Sequence, residues 1–175
     1  MRYLLFLFLG FPTLIFAQSE NIERDDLYIG AGAGFGSTLA AGKINNPSWN
    51  MSFDYNLSEQ VGIGLSLGYI TSTDNLNVND IKIDYTYLVT SLRGLYHYQL
   101  ISNEDFKTYV GLVVGYNYAD YTTDATAKII FRHQQSGLYY NGLLGLRYSI
   151  SNLVGVYAEV GFGAAYLTTG VYLKL

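Results

Sequence analysis

Four charges set among apolar and small residues, Asp54, Arg93, Arg147 and Glu159, are the positions in this sequence best placed to do chemistry. A charge withdrawn from water must be paired. They therefore read as an interior ion network, with Arg147 and Glu159 as the expected pair. The functional alternative is a gated polar pathway. Gly30-Ala31-Gly32-Ala33-Gly34-Phe35-Gly36 invites comparison with a nucleotide-binding loop, but Phe35 and Ser37 stand where the third glycine of G-x-G-x-x-G belongs. Glycine at every second residue instead strips one face of a strand. Asp74-Asn75-Leu76-Asn77-Val78-Asn79-Asp80 offers alternating oxygen ligands for calcium, yet lacks the turn glycine and distal glutamate of an EF-hand loop and reads as a polar loop. His97, between Tyr96 and Tyr98, reads as a space-filling residue, and it lies too far from His133 to make a metal site. No metal or cofactor is expected.

Phe131-Arg132-His133-Gln134-Gln135-Ser136 resembles the Arg-His-x-Ser region of outer-membrane lipid A deacylases. Those enzymes use a histidine, a serine and a carboxylate for nucleophilic attack on an ester. Here Ser136 follows His133 by three residues, so on a strand the two face opposite sides. The strand also holds no carboxylate. A solvated loop histidine is the preferred reading, and no enzymatic activity is expected.

The elements that must position these residues are strands. Charged residues are 14 % of the chain, well under the ~25 % of an ordinary soluble domain. Apolar residues are 50 %, yet after the first eighteen residues no run is long enough to cross a bilayer as a helix. Eighteen tyrosines and nineteen glycines against two prolines favour strands and tight packing. A net charge of −4 argues against a nucleic-acid partner. The absence of cysteine excludes disulfides, thiolate metal sites and a lipoprotein anchor. Arg2 and the apolar stretch from Tyr3 to Phe16 form a signal peptide, residues 1–17, cleaved after Ala17 to leave a barrel domain over 18–175.

Within that domain the alternation is regular. In Val61-Gly62-Ile63-Gly64-Leu65-Ser66-Leu67-Gly68-Tyr69 the odd positions are large and apolar and the even ones glycine or serine. The face that is not apolar carries glycine, serine, asparagine and single charges, too few for a water-facing surface. The apolar face is therefore expected to meet lipid and the small face to fill a lumen, giving an all-β, eight-stranded antiparallel up-and-down transmembrane β-barrel. Strands are expected near 27–36, 48–57, 61–71, 80–100, 106–119, 127–150, 153–163 and 168–175. Short turns at 56–60, 101–105 and 150–153 alternate with longer polar stretches at 37–47, 71–79 and 120–136. Trp49, Tyr69, Tyr116, Tyr118 and Tyr140 are expected at one membrane interface, and Tyr55, Tyr96, Tyr98, Phe106 and Tyr148 at the other.

The 80–100 stretch changes parity. Leu88, Leu92, Tyr96 and Tyr98 are even, whereas Ile81, Ile83, Tyr85 and Tyr87 are odd and alternate with Asp80, Lys82 and Asp84. Ile129 and Phe131 alternate with Lys128 and Arg132 in the same sense. A bulge in each strand is one cause of such a switch; a strand running unbroken past the bilayer is the simpler one, because there the outer face meets water. Strands 80–100 and 127–150 are thus expected to project from the cell, with edges open to a partner.

The pattern is similar to small OmpA/OmpX-type barrels and to the outer membrane protein beta-barrel domain group common in Bacteroidota. It rests on Phe16-Ala17-Gln18, the glycine-alternating first strand, Tyr109-Val110-Gly111-Leu112, and a last strand with Leu167, Thr169, Val171, Leu173 and Leu175 at alternate positions. The last pattern looks like the signal read by the barrel-assembly machinery, although family members usually end in an aromatic residue. The resemblance implies residence in the outer membrane of a Gram-negative bacterium, with both termini periplasmic. It implies outer-membrane lipid, lipopolysaccharide and the assembly machinery as partners, together with a possible extracellular protein. A structural or surface-interaction role is expected. Narrow porin-like permeation of very small solutes is the alternative, and lipid A modification a remote one.

Overall fold

The structure is a computed structural model and describes residues 26–76, 81–100, 103, 105–123 and 136–175. Every regular element among them is a strand: β1 (Leu27–Phe35), β2 (Lys43–Ile44), β3 (Ser48–Asn56), β4 (Val61–Leu76), β5 (Ile81–Tyr98), β6 (Phe106–Thr123), β7 (Gly137–Ser149), β8 (Val154–Gly161) and β9 (Leu167–Lys174). β1 and β3 to β9 each pair antiparallel with the next, and β9 returns to pair with β1. The sheet is a closed eight-stranded barrel. The ninth strand, β2, lies in the β1–β3 connection and pairs Lys43 and Ile44 with Thr73 and Ser72.

Local chemistry sets the short turns. After β3, the N–H groups of Leu57 and Ser58 donate to the Val61 carbonyl, while Ser58 Oγ accepts from Gln60 and Val61. The β7–β8 turn repeats this arrangement at Ile150, Ser151 and Val154. A serine hydroxyl holding the following backbone is a compact way to reverse a chain. Its placement fixes the register of each hairpin.

The two faces of the barrel are chemically distinct. Ile63, Leu65, Leu67 and Tyr69 point outward and are 50, 54, 44 and 45 % exposed, whereas Ser52, Asp54, Ser91, Arg93 and Arg147 are buried inside. An apolar belt this extensive belongs in lipid. Of the aromatic residues expected at the interfaces, Trp49, Tyr55, Tyr69, Tyr116, Tyr118, Tyr140 and Tyr148 are exposed on the outer face. Tyr96, Tyr98 and Phe106 are partly covered, and the Phe106 ring packs on Tyr148 at 4.7 Å.

Strand lengths are unequal. β1, β3, β8 and β9 have 9, 9, 8 and 8 residues, close to the ~9–11 that cross a bilayer. β4, β5 and β6 have 16, 18 and 18 and continue past them at one end. This corrects two expected boundaries. The stretch from Thr71 to Leu76 is strand, not loop, and β6 runs to Thr123. The expected start of the next strand at 127 lies outside the described residues; among the described residues, β4 and β6 flank β5 in its extension. Pairing along β5 is unbroken from Leu76↔Ile81 to Val61↔Tyr96 and from Ile83↔Thr123 to Tyr98↔Thr108. The change of parity therefore needs no bulge. Ile83, Tyr85 and Tyr87 stay inside while Lys82 and Asp84 face out.

Candidate functional site

The interior of the barrel holds the four charges, carried on alternate and neighbouring strands. β3 supplies Asp54, β5 Arg93, β7 Arg147 and β8 Glu159. Asp54 is fully buried between both arginines: Arg93 Nε lies 3.2 Å from Oδ1 and Arg147 Nη2 2.5 Å from Oδ2. Arg93 also pairs with Glu159, and Tyr109 donates its hydroxyl to Glu159 Oε1 at 2.6 Å. The ion pair expected between Arg147 and Glu159 is therefore replaced by Arg147–Asp54 and Arg93–Glu159, with Asp54 shared. Strand adjacency suggested the first pairing, but Arg147 stands opposite Tyr157 and Glu159 opposite Gly145. Across so narrow a lumen, long side chains reach strands they do not pair with.

Aromatic rings complete this layer. The Arg147 guanidinium stands over Tyr28 at 4.4 Å, Tyr109 at 4.7 Å and Tyr172 at 5.9 Å, close enough for cation–π attraction. Sequence reasoning assigned the conspicuous tyrosines to the interfaces and passed over these inner ones. The available signal was parity together with glycine. Tyr109 stands opposite Gly145, Tyr139 opposite Gly115, Tyr157 opposite Gly170, and Tyr172 opposite both Gly155 and Gly30. Gly145, Gly155 and Gly115 clear the wall where the rings of Tyr109, Tyr172 and Tyr139 lie, and Gly30 and Gly32 do so for Tyr157. His97 is also in the lumen, its ring 5.7 Å from Tyr109.

Beyond the charged layer lies a polar cavity of about 70 Å³, lined in part by Asn50, Ser52, Ser66, Ser91, Tyr139 and Asn141. The Ser66 and Ser91 hydroxyls bond across it at 2.6 Å. Its volume suits a few waters. A cap closes the far side. Thr38 N–H donates to the Gly163 carbonyl at 3.0 Å, and Gly163 N–H donates to Thr38 Oγ1 at 2.8 Å, tying the β1–β3 connection to the β8–β9 turn. Gly163 has a φ of 114°, a conformation L-residues avoid. Leu39, Ala40, Ala41 and Ile44 of the cap pack on the buried cluster Ile70, Ile83, Tyr85, Tyr87 and Val89, and Ala41 N–H donates to the Tyr87 hydroxyl at 3.0 Å. An open groove of about 420 Å³ lies between Thr38–Ala41 of the cap and Asn117 and Gly137–Tyr139 of the barrel wall.

No group of three or more histidine, cysteine, aspartate or glutamate side chains is placed to hold a metal among the described residues. Gly30 to Phe35 lie in β1, and Asp74 and Asn75 in β4. His133 and its neighbours to Gln135 lie outside the described residues, as do Lys128, Ile129 and Phe131. Ser136 is described, and its hydroxyl binds the backbone of β6: it accepts from Ala119 N–H at 2.8 Å and lies 3.5 Å from the Ala119 carbonyl. Tyr121 N–H donates to Asp120 at 2.9 Å. On the other margin of the extension, β2 occupies β4 at Ser72 and Thr73. The strand edges expected to be open to a partner are thus taken up at these positions, a common way of blunting a sheet.

A closed barrel with an apolar outer wall and a packed polar lumen is a transmembrane β-barrel. A profile of the family described as outer membrane protein beta-barrel domain matches residues 5–161, and the chain belongs to that family. Among solved structures the chain is similar to OprG from Pseudomonas aeruginosa, with 16 % identity over 87 % of this chain and 97 % of that one and a TM-score of 0.65. It is also similar to Neisserial surface protein A, with 16 % identity, 86 % and 96 % coverage and a TM-score of 0.55. The barrel domain of OprF from Pseudomonas aeruginosa matches at 17 % identity, 87 % and 98 % coverage and a TM-score of 0.52. Identities this low show a shared fold. No curated protein matches the chain.

Proposed function

We propose that this protein is a closed outer-membrane barrel with a structural or surface-interaction role, its long-strand end outside the cell and both termini periplasmic. The observation that carries this reading is the double obstruction of the lumen. The Asp54–Arg93–Arg147–Glu159 layer with its tyrosines fills one level, and the apolar cap packs over Ile70 and Tyr87 at another. The outward orientation rests on the extended strands β4 to β6 and on the two longest connections, β1–β3 and β6–β7, all at the same end, as in outer-membrane barrels generally.

Purified barrel in liposomes should give no swelling in arabinose or glucose and no stable conductance in planar bilayers. Rapid swelling in arabinose would overturn the closed-barrel reading in favour of narrow permeation, for which the polar cavity above the charged layer would be the starting point. Cysteine at Lys82 should label in intact cells with an impermeant maleimide, whereas cysteine at Ile83 should be shielded. Absence of labelling at Lys82 would reverse the assigned orientation.

A further inference from the structure

β7 outlasts the strand beside it. Its pairing with β8 ends at Leu143↔Gly161, while its pairing with β6 continues unbroken to Asn117↔Gly137. From Gly137 to Gly142, β7 thus has a neighbour on one side only among the described residues. The ladder fixes which backbone groups this leaves over. Ser149 N–H donates to the Asp105 carbonyl just before β6, and Ile150 N–H donates to the Val154 carbonyl of β8. Odd residues of β7 therefore turn their backbone groups toward β6, and even residues toward β8. The N–H and C=O groups of Leu138, Tyr140 and Gly142 point past the end of β8, and no described backbone group meets them. Where the ladder would continue, the Asn141 side-chain amide instead donates to the Phe162 carbonyl.

The surroundings of this edge suit an added chain. On its lumen side lies the groove of about 420 Å³ between Leu39–Ala41 and Tyr139. A Cβ on Gly137 would meet nothing within 4 Å. On its outer side Leu138 and Tyr140 are 82 and 88 % exposed, the most open large apolar side chains among the described residues. Neither Gly137–Gly142 nor Thr38–Ala41 carries a charge. Leu138 is the cross-strand partner of Tyr116, so the edge stands at the outer aromatic level, where the bilayer gives way to water. Hydrocarbon does not tolerate a bare strand edge, and at its border such an edge is a template for another strand.

We propose that the Gly137–Gly142 edge of β7 takes an added strand, an uncharged extended peptide segment of about six residues from a partner at the cell surface. The inference rests on the surface-interaction role and outward orientation proposed above, and it moves the binding edge from the tall extension to the notch above β8. Leu138, Tyr140 and Gly142 supply the backbone bonds. Alternate side chains of the peptide enter the groove, and the others lie beside Leu138 and Tyr140. A lipid chain would fill the groove and leave the backbone groups unmet. A second copy fails on geometry. Two barrels related by a two-fold axis along the membrane normal, each with strands tilted near 40°, would cross these edges at about 80°, too steep for a ladder.

The test uses the whole barrel in detergent micelles and a synthetic peptide of three threonine–valine repeats between two lysines. A peptide of the same sequence, N-methylated at every residue and so unable to donate to a ladder, is the control. In the free barrel the amide protons of Leu138, Tyr140 and Gly142 should exchange faster than that of Leu144, which lies within the β7–β8 ladder. The peptide should slow these three amides about tenfold, and the methylated one should not. Tyr140→Pro removes an edge N–H and should weaken peptide binding about tenfold, whereas Tyr140→Ala keeps the backbone and should bind within about threefold of wild type. Unchanged exchange with the peptide, equal binding of the methylated control, or equal loss in the two variants would overturn the proposal. Should Tyr140→Pro not fold, the two peptides on wild type decide. Micelles present the edge whichever way the barrel faces, so failure of Lys82→Cys to label in intact cells would count against the orientation alone, and the two failures are distinguishable.

Discussion

The ring of Tyr109 lies across the strand from Gly145, in the space that a side chain at 145 would occupy. Tyr109 is fully buried there and reaches Glu159 from that position. Gly145→Ala should therefore displace the ring and cost about 1–3 kcal/mol, the usual range for overpacking. Gly142, on the lipid side of the same strand, faces open space, where an added Cβ would meet only the Gly111 carbonyl at 3.8 Å. Gly142→Ala should leave stability unchanged or slightly raised. Urea unfolding in detergent micelles measures both, and an equal loss in the two variants would contradict the assigned packing.

Asp54 is the shared acceptor of Arg93 and Arg147 and has no exposure. Asp54→Ala strands the Arg147 guanidinium and leaves Arg93 with Glu159 alone, and should cost about 3–5 kcal/mol, the range for breaking a buried pair from one side. Glu159→Gln keeps an oxygen for Arg93 and Tyr109 and should cost less. Refolding midpoints of the two variants, compared with wild type, give the order.

The assignment of faces predicts a different contrast in β4. Leu65 is 54 % exposed on the outer wall, and its neighbour Ser66 points into the lumen and bonds Ser91. Leu65→Arg should block membrane assembly or cost about 2–4 kcal/mol if it lies near the midplane. Ser66→Ala should be mild. Yield of heat-modifiable, folded protein on gels reports the result, and the reverse order would exchange the inner and outer faces.

Asp84 stands in water on the extension, and its hydrogen bond from Thr73, with Lys82 nearby, holds its carboxyl below the ordinary range. A carboxylate with a lowered value in the folded state stabilises the fold at neutral pH. That contribution is lost as pH falls from the ordinary carboxylate range through the lowered value. Wild type should thus lose a stabilising increment below about pH 4 that Asp84→Asn lacks at every pH. Unfolding curves of both proteins between neutral and acid pH should converge at the acid end.

The barrel and its strand order were legible in the sequence because lipid on one side and a crowded lumen on the other impose opposite demands on alternate residues. Legibility failed where that contrast vanished. Thr71-Ser72-Thr73-Asp74-Asn75 has polar residues on both faces, so no period appears, and its strand conformation comes from pairing with β5. The partners within the charged layer were hidden for another reason. The sequence places Asp54, Arg93, Arg147 and Glu159 in the lumen by parity, but which of them meet depends on how far each side chain reaches across the axis. The inner tyrosines were discoverable from their cross-strand glycines, once register was known.

The unequal strands give the molecule a bearing within the plane of the membrane. One sector, from β4 to β6, stands tall and polar, and the sector from β8 through β9 to β1 ends low, at Gly161, Leu167 and Phe35. Phe35, Phe162 and Tyr166 are exposed along that low margin. A neighbour diffusing in the same leaflet therefore meets a wall from one direction and an aromatic sill from the other. Rotation about the barrel axis is not a neutral motion for such an object. In a crowded membrane its surroundings would sort by azimuth, one kind of neighbour meeting the wall and another the sill.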